Sequence, residues 1–259
     1  MERKLILANL VDTSLSSLVK ARGDVFHIPK YAEDSAVTKT AGTALTAAAS
    51  THTESTLTVD QHKAVYKVIE SISMTQANPG LFEREVAGMG YALAKAVDTF
   101  VATKLDGSAS ANDIDLSSDN TMSAANLRAA IVTLRGKDIS PEDGDCFLVC
   151  NPTVYGSLFS LSDFADASKF GAGAPAAQGT FSMIYGIPVY SSSVISSATA
   201  DGTNVAHMFH RSAVSLAMQS DVKVESATSV SNLGQEVAAH NLYGGATVFD
   251  DRIVTFTNP

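Results

Sequence analysis

The sequence lacks the features that mark several common classes of protein. Only two of its 259 residues are cysteine, which is too few for a disulfide framework. No apolar run approaches the ~20 residues that a membrane-spanning helix needs. The chain has 18 basic and 27 acidic residues, and the resulting formal net charge of −9 disfavours DNA binding through a basic face. Charged residues make up only 17% and hydrophobic residues 45%, which disfavours disorder of the whole chain.

Motifs for nucleotide binding and nucleophilic catalysis are also missing or misplaced. The sequence has no Gly-x-x-x-x-Gly-Lys-Ser/Thr loop and no Gly-x-Ser-x-Gly elbow. Gly88 and Gly90 lie inside a predicted helix instead of at a strand–helix turn, which favours a packing role. Ser17 and Lys20 have a Ser-x-x-Lys spacing that is common by chance in helices. We therefore assign no catalytic and no cofactor-binding residue.

The closely spaced histidines and cysteines lack a functional arrangement. His207 and His210 are three residues apart on a predicted strand, so their side chains should point to opposite faces. Cys146 and Cys150 lie in another predicted strand, where positions four apart are ~13 Å apart, too far for a disulfide. An apolar strand raises the pKa of a thiol and so disfavours a catalytic cysteine. We expect two reduced, buried thiols.

One acidic segment resembles the start of a calcium-binding loop. Its matching residues are Asp113, Asp115, Ser117 and Asp119. Ser118 stands where such a loop requires glycine, and Ala124 stands where it requires a bidentate glutamate. A solvated loop is the favoured interpretation and a weak ion site the alternative, and we assign no metal ligand and no cofactor.

A second acidic segment, residues 138–168, carries six acidic residues and no Lys or Arg. A solvated acidic surface is the favoured interpretation. The alternative is a face that contacts basic surfaces of neighbouring molecules or repels nucleic acid.

Hydrophobic periodicity predicts an α+β fold, because helices and strands do not alternate regularly. The clearest helix begins at Asn78-Pro79 and ends near Gly107, and its small residues should permit close packing. Ser123 and Gly136 bound a second helix, and Asn151-Pro152 begins a third. The remaining predictions are strands at 25–31, 57–59, 65–69, 145–150, 184–189, 205–210 and 222–228, a short helix at 211–219, a loop at 162–179, and two long strands within 237–256.

Residues 35–58 have an unusual composition, because Ala, Ser and Thr fill 17 of these 24 positions. Such a segment cannot supply a hydrophobic core of its own. Strand-like flanks on either side predict a projecting β-arm, which could reach ~50 Å with ~15 residues in each strand. An arm of this kind gains its burial most simply from another subunit.

The order of these elements resembles the major capsid proteins of tailed double-stranded-DNA bacteriophages, whose fold is shared with encapsulins. The resemblance covers almost the whole chain and adds up from several individually weak matches. These are the strand GDVFHIP (23–29), the Thr/Ala-rich arm returning through LTVD (57–60), the helix FEREVAGMGYALAKAVDTFVATKL (82–105) with Asp98, and the segments FLVCNPTVYGSLFSLSDF (147–164), GTFSMIYGIPVYSSS (179–193), HRSAVSLAMQ (210–219) and LYGGATVFDDRIVTF (242–256).

The resemblance implies five regions. They are an N-terminal arm (1–23), an extended β-loop and its base (24–72), a peripheral domain with a long spine helix (73–117), an axial domain (118–230), and C-terminal strands that return to the peripheral domain (231–259).

The resemblance also implies a structural function without enzymatic activity. Identical subunits would form the hexamers and pentamers of an icosahedral shell around double-stranded DNA, assembled in the cytoplasm of a bacterial host. Expected partners are other copies of the chain, a scaffolding protein and a portal, with a decoration protein as a further candidate. No membrane partner is expected. Many relatives carry a longer N-terminal scaffolding segment, so scaffolding here would be a separate protein, a removed segment, or absent. Lys39 lies where some relatives form a cross-link, but no motif identifies a partner for it.

Two alternatives remain open from the sequence. An encapsulin-like compartment would use the same fold to enclose enzymes instead of DNA. A small ion-binding protein or enzyme would instead use the acidic loop at 106–120.

Overall fold

The computed structural model describes residues 6–20, 23–31, 34–45, 47, 51–76, 80–116, 121–161, 183–195 and 204–258. Their helices are α1 (Leu7–Leu10), α2 (Ser16–Val19), α3 (Ser71–Gln76), α4 (Leu81–Leu105), α5 (Ala124–Arg135) and α6 (Pro152–Leu158). Their strands are β1 (Val25–Tyr31), β2 (His52–Thr58), β3 (Gln61–Glu70), β4 (Asp113–Asp115), β5 (Cys146–Cys150), β6 (Met183–Ile184), β7 (Ile187–Ser191), β8 (Asn204–His210), β9 (Val214–Ser229), β10 (Gly234–Thr247) and β11 (Ile253–Thr257). The α+β prediction is confirmed.

A six-stranded mixed sheet in the order β4-β11-β8-β5-β7-β6 forms the centre of the molecule. Alternate residues of its strands are buried on opposite faces, as the two-residue period of a strand requires. One face packs with α5 and α6, and Leu148 and Met208 belong to that core. The other face packs with α1 and the second half of α4, and Val149 and Phe209 belong to that core. Both faces of β5 are therefore covered, and all five of its residues are buried.

A three-stranded antiparallel sheet in the order β3-β10-β9 forms the second layer, and the first half of α4 crosses it. Met89 and Leu93 of the helix pack against Val237 and Ala239 of β10. The predicted helix at 211–219 is wrong. That segment contains a 3₁₀ turn at Arg211–Ala213 and then β9, a single strand of 16 residues.

Helix α4 is the 25-residue rod that the periodicity predicted, about 37 Å long. Residues 78 and 79 lie outside the described residues, but the helix begins at Leu81 with Gly80 as its N-cap, so the start predicted at Asn78-Pro79 is two residues too early. The close packing predicted for its small residues is not present within the chain at two glycines, because a Cβ added to Gly88 or Gly90 would meet open space.

The predicted starts of α5 at Ser123 and of α6 at Asn151 are confirmed. The side chain of Ser123 accepts a hydrogen bond from the Asn126 N–H, and that of Asn151 accepts one of 2.7 Å from the Val154 N–H. These contacts satisfy backbone donors that the first turn of a helix leaves free. The predicted loop at 162–179 lies outside the described residues.

Strands β1 and β2 form a separate antiparallel hairpin of seven residue pairs, from Val25↔Thr58 to Tyr31↔His52. At about 3.4 Å per residue the paired part is about 23 Å long. The predicted strands of ~15 residues are therefore too long, because Asp34–Leu45 forms no strand. Pro29 lies on a strand that has a partner on only one side, which is where a residue without an N–H is tolerated.

Candidate functional site

The hairpin projects from the two sheets, and its described tip is open to solvent. Every residue from Asp34 to Leu45 is exposed, including the apolar side chains of Val37 and Leu45, which are 70% and 61% exposed. Lys39 lies in this exposed segment. The low apolar content of residues 35–58 explains why the tip has no core of its own.

The base of the hairpin, in contrast, is packed tightly against β10. A Cβ placed on Gly244 would lie 2.0 Å from the carbonyl oxygen of Thr58, so the two backbones touch in a way that only glycine permits. The Val59 N–H donates a 2.7 Å hydrogen bond to the Asp24 carbonyl, which closes the base. Leu57 is fully buried there, in a small core with Val19. The arrangement fixes the base of the hairpin while leaving its tip free.

A cation–aromatic stack fixes the side of the hairpin. Two cations lie over the Phe249 ring, with Lys30 Nζ of β1 5.5 Å and the Arg252 guanidinium 3.9 Å from its centroid. Such contacts stabilise by about 0.5–1 kcal/mol each where they are exposed. The same residues line an open cleft of about 610 Å³ between the hairpin and the turn after α5.

A buried carboxylate attaches the N-terminal segment to α4. Asp98 is only 1% exposed, and it accepts hydrogen bonds from the N–H groups of Ile6, Leu7 and Ala8 at 2.9, 3.3 and 3.1 Å. Burial raises the pKa of Asp98, and the three N–H donors oppose that rise. This contact is the structural role of the aspartate in the long helix.

The two histidines considered as metal ligands point to different surroundings, as predicted. His207 is fully buried, with Nδ1 3.2 Å from the Thr255 hydroxyl and Nε2 3.3 Å from an Asp106 oxygen. His210 instead accepts a 3.2 Å hydrogen bond from the Ser212 N–H, at the start of the 3₁₀ turn. The fold does not bring the two rings together.

The two thiols are free and buried, which confirms the prediction. Burial, with Asp145 and Asp143 nearby, raises the pKa of Cys146 to about 11, and burial alone raises the pKa of Cys150. Both thiols therefore remain protonated and weakly nucleophilic at neutral pH.

The remaining candidate residues that the structure describes have structural partners. Asp113 and Asp115 lie on β4 and accept hydrogen bonds from the hydroxyls of Ser108 and Thr257. This part of the predicted loop is therefore a strand, and Ser117 and Asp119 lie outside the described residues. Ser17 donates to the Ser14 carbonyl and Lys20 pairs with Asp221, so the Ser-x-x-Lys spacing has no catalytic geometry.

Part of the acidic segment 138–168 is paired with arginines from outside it. Arg135 pairs with Glu142, and the Arg211 guanidinium lies 4.0 Å from Asp145. The described portion is therefore a mixed-charge surface and less negative than its sequence indicated; residues 162–168 lie outside the described part.

The described residues contain neither a three-ligand metal cluster nor a membrane-spanning helix. No group of three or more His, Cys, Asp and Glu in them is arranged to hold a metal ion. No helix among them combines the length and apolar character needed to cross a membrane.

Sequence reasoning missed the residues that fix the hairpin. Two adjacent glycines, Gly244 and Gly245, interrupt a predicted strand, and such a pair indicates close approach of another backbone. A Cβ on Gly245 would lie 2.8 Å from the Ser215 carbonyl oxygen. Nothing in the local sequence, however, indicated that Phe249 would lie against Lys30, more than 200 residues away.

The described residues combine a central mixed sheet, a second sheet crossed by a long helix, and a projecting hairpin. The family model described as phage capsid protein matches residues 53–255, and the chain belongs to this family. It is a structural major capsid protein, and its place is the capsid of a virion. No curated protein matches the chain in sequence.

Solved structures similar to the chain carry the same fold. A structure titled Mycobacterium phage Che8 is 22% identical with a TM-score of 0.79, over 99% of this chain and 93% of that one. The capsid structure of the cyanophage P-SCSP1u is 18% identical with a TM-score of 0.80, over 100% and 89%. The mature capsid of bacteriophage PhiM1 is 14% identical with a TM-score of 0.77, over 100% and 88%.

Proposed function

We propose that many copies of this chain associate as hexamers and pentamers, which close into an icosahedral shell around double-stranded DNA. The observation that carries the proposal is the hairpin, which is anchored at Gly244 and exposed along Asp34–Leu45. A fixed base places the tip at a defined angle, and the exposed Val37 and Leu45 side chains gain burial when the tip lies on a second subunit. Assembly with a neighbour supplies the core that the arm lacks.

The five regions inferred from the resemblance would divide the work. Residues 24–72 would reach the neighbouring subunit, 73–117 would stiffen the peripheral domain, and 118–230 would point to the centre of each capsomer. Strand pairing links the last region to the three before it, because β10 pairs with β3 and β9, and β11 pairs with β4 and β8. The regions would therefore move as a coupled unit within the subunit.

The net charge of −9 suits a wall that encloses DNA without binding it tightly. Partners in assembly would be a scaffolding protein and a portal, with a decoration protein as a possible addition, in the cytoplasm of the bacterial host. The subunit would act mechanically, without enzymatic activity, cofactor or metal requirement for closure.

Electron microscopy of the purified protein, after sedimentation to select large species, tests the proposal. We expect closed hollow particles tens of nanometres wide, in order of magnitude, with co-purifying DNA or portal protein when the chain is produced during infection. Particles that carry an enzyme cargo instead of DNA would show that the shell is an encapsulin-like compartment. A chain that remains monomeric with scaffolding and portal proteins supplied would overturn the proposal.

A further inference from the structure

Two histidines meet on the open face of the three-stranded sheet, away from α4. His62 of β3 and His240 of β10 lie on neighbouring strands, two positions out of direct register, since His240 pairs with Ala64. Their rings are edge-to-face with centroids 5.3 Å apart. Nε2 of His62 lies 3.4 Å from Nδ1 of His240. Helix α4 covers the opposite face, where Val237 and Ala239 are buried.

The separation of these two nitrogens suits a shared metal ion. Zinc binds imidazole nitrogen at about 2.0–2.1 Å in tetrahedral geometry, so two of its ligand atoms lie about 3.4 Å apart. In the metal-free chain the two nitrogens share a hydrogen bond, whose donor depends on the tautomers. A metal ion would replace that proton, with the proton of His62 on Nδ1 and that of His240 on Nε2, so that both nitrogens supply a lone pair. We propose that His62 and His240 form a site for a divalent transition-metal ion of the kind that prefers imidazole, such as Zn²⁺, Ni²⁺ or Cu²⁺.

A carboxylate stands behind one of the two ligands. The distal nitrogen Nε2 of His240 lies 3.8 Å from Glu225 Oε1 on β9. A carboxylate hydrogen-bonded to that nitrogen orients a metal-bound imidazole. The exposed Glu225 side chain would have to close the 3.8 Å separation by a small rotation to make this bond. Lys223 is the cross-strand neighbour of His240 on β9, and its charge opposes the ion. Lys223 is exposed, so its flexible side chain can turn toward solvent.

The site would join the strand that follows the hairpin to the long C-terminal strand. Two residues separate the end of β2 from the start of β3, and β10 carries the Gly244 contact with the hairpin base. His62 and His240 lie just beyond that contact, so a bound ion would hold β3 and β10 together beside the hairpin. Solvent molecules would fill the remaining coordination positions, since His62 is exposed and the side chain of His240 is 27% exposed.

Isothermal titration of the purified full-length chain with Zn²⁺ at neutral pH tests the site. Sedimentation first establishes that all variants are in the same assembly state. We expect one ion per chain, with His62→Ala and His240→Ala each weakening the affinity by about tenfold or more and Glu225→Gln weakening it less. The matched control is His27→Ala. His27 is also exposed and lies 3.4 Å from a carboxylate, that of Glu54, but this contact contains no second imidazole. This control should leave the affinity unchanged.

A spectroscopic readout separates ligation from any effect on folding. The Cu²⁺ electron paramagnetic resonance spectrum of the wild-type chain should show two imidazole nitrogen ligands. The spectrum of either alanine variant should show only one. Zn²⁺ should also raise the thermal midpoint of the wild type and not that of the two variants. Binding that is absent, equally weakened by His27→Ala, or unaffected by both alanine variants would overturn the assignment.

Discussion

The carboxylate of Asp98 accepts a 2.9 Å hydrogen bond from the backbone N–H of Ile6, 92 residues earlier in the chain. Two further N–H groups, of Leu7 and Ala8, bind the same carboxylate. One side chain of the long helix thus accepts hydrogen bonds from the free N–H groups in the first turn of α1. This helix has only four residues and would not be stable in isolation. The N-terminal segment is positioned by this contact and by the burial of Leu7 and Leu10.

Replacing Asp98 by alanine should detach the N-terminal segment. Three backbone donors would lose their acceptor, which should lower the free energy of unfolding by about 3 kcal/mol or more. Chemical denaturation measures the loss, and hydrogen exchange at residues 6–10 should accelerate with it. Unchanged protection of those amides would show that α1 is held by its apolar contacts alone.

The pH dependence of the Asp98 contact has a definite sign. Because the folded pKa is raised, the contribution of Asp98 is full below the unfolded pKa of about 3.9 and is lost as pH rises through the folded pKa. The wild type should therefore lose stability relative to Asp98→Asn as the pH rises through that window. Denaturation of both proteins across acidic pH provides the measurement, and a wild type that gains stability relative to Asp98→Asn as the pH rises would contradict the prediction.

Gly244→Ala should displace the base of the hairpin. The added methyl would lie 2.0 Å from the Thr58 carbonyl oxygen, a backbone atom that cannot move without disturbing the sheet. We expect a loss of about 2 kcal/mol or more and failure to form closed particles. Gly88→Ala is the matched control: its methyl meets open space in the middle of α4, so it should stabilise the subunit by about 0.5–1 kcal/mol. Equal effects of the two substitutions would exclude the contact as the cause.

Removing the tip of the hairpin should separate folding from assembly. A deletion of 36–55 should leave a folded subunit and abolish closed shells, but it also removes residues of β2. A sharper variant replaces residues 32–51 by Asn-Gly, which suits a two-residue turn and keeps all seven hairpin pairs. Its thermal midpoint should match the wild type while particles disappear from micrographs. Normal shells from this variant would show that the arm is not needed for assembly.

The two cysteines should resist modification in the native protein. Both are fully buried, and burial raises the pKa of Cys146 to about 11. At about pH 8, which is well below that pKa, a thiol-specific disulfide reagent should label neither cysteine in the native protein. Both cysteines should react once denaturant is added. Thr43→Cys, in the exposed part of the hairpin, is the positive control and should react at once. Rapid labelling of the wild type would contradict the buried position of β5.

His210 should contribute stability that acid removes. Burial lowers the pKa of His210, with the charges of Arg252 and Arg211 adding to the effect and Asp145 opposing it. The contribution is present above the unfolded pKa of about 6.5 and is lost as pH falls through the folded pKa. His210→Asn keeps an acceptor for the Ser212 N–H and cannot titrate, so its stability should fall less between neutral and mildly acidic pH. Parallel curves for the two proteins would exclude His210 as the titrating group.

Local sequence determined the elements whose signals are short-range. The four-residue spacing of Met89, Leu93 and Val97 predicted the long helix because side chains at that spacing share one face. Ser123 and Asn151 predicted two helix starts because a cap contacts an N–H only three residues away. The single strand predicted at 184–189 is wrong, because Tyr185 and Gly186 both have positive φ and form the turn between β6 and β7.

Only the tertiary structure decided the features that depend on distant residues. The segment from Val214 to Ala217 is buried at four consecutive positions, so it carries no two-residue alternation and resembles a buried helix in sequence. Pairing with β10 makes it a strand. The role of Asp98, the need for glycine at 244 and the meeting of His62 with His240 likewise depend on partners about 90 to 190 residues away. Their energies come from burial and close backbone contact, which exist only when the sheets are assembled.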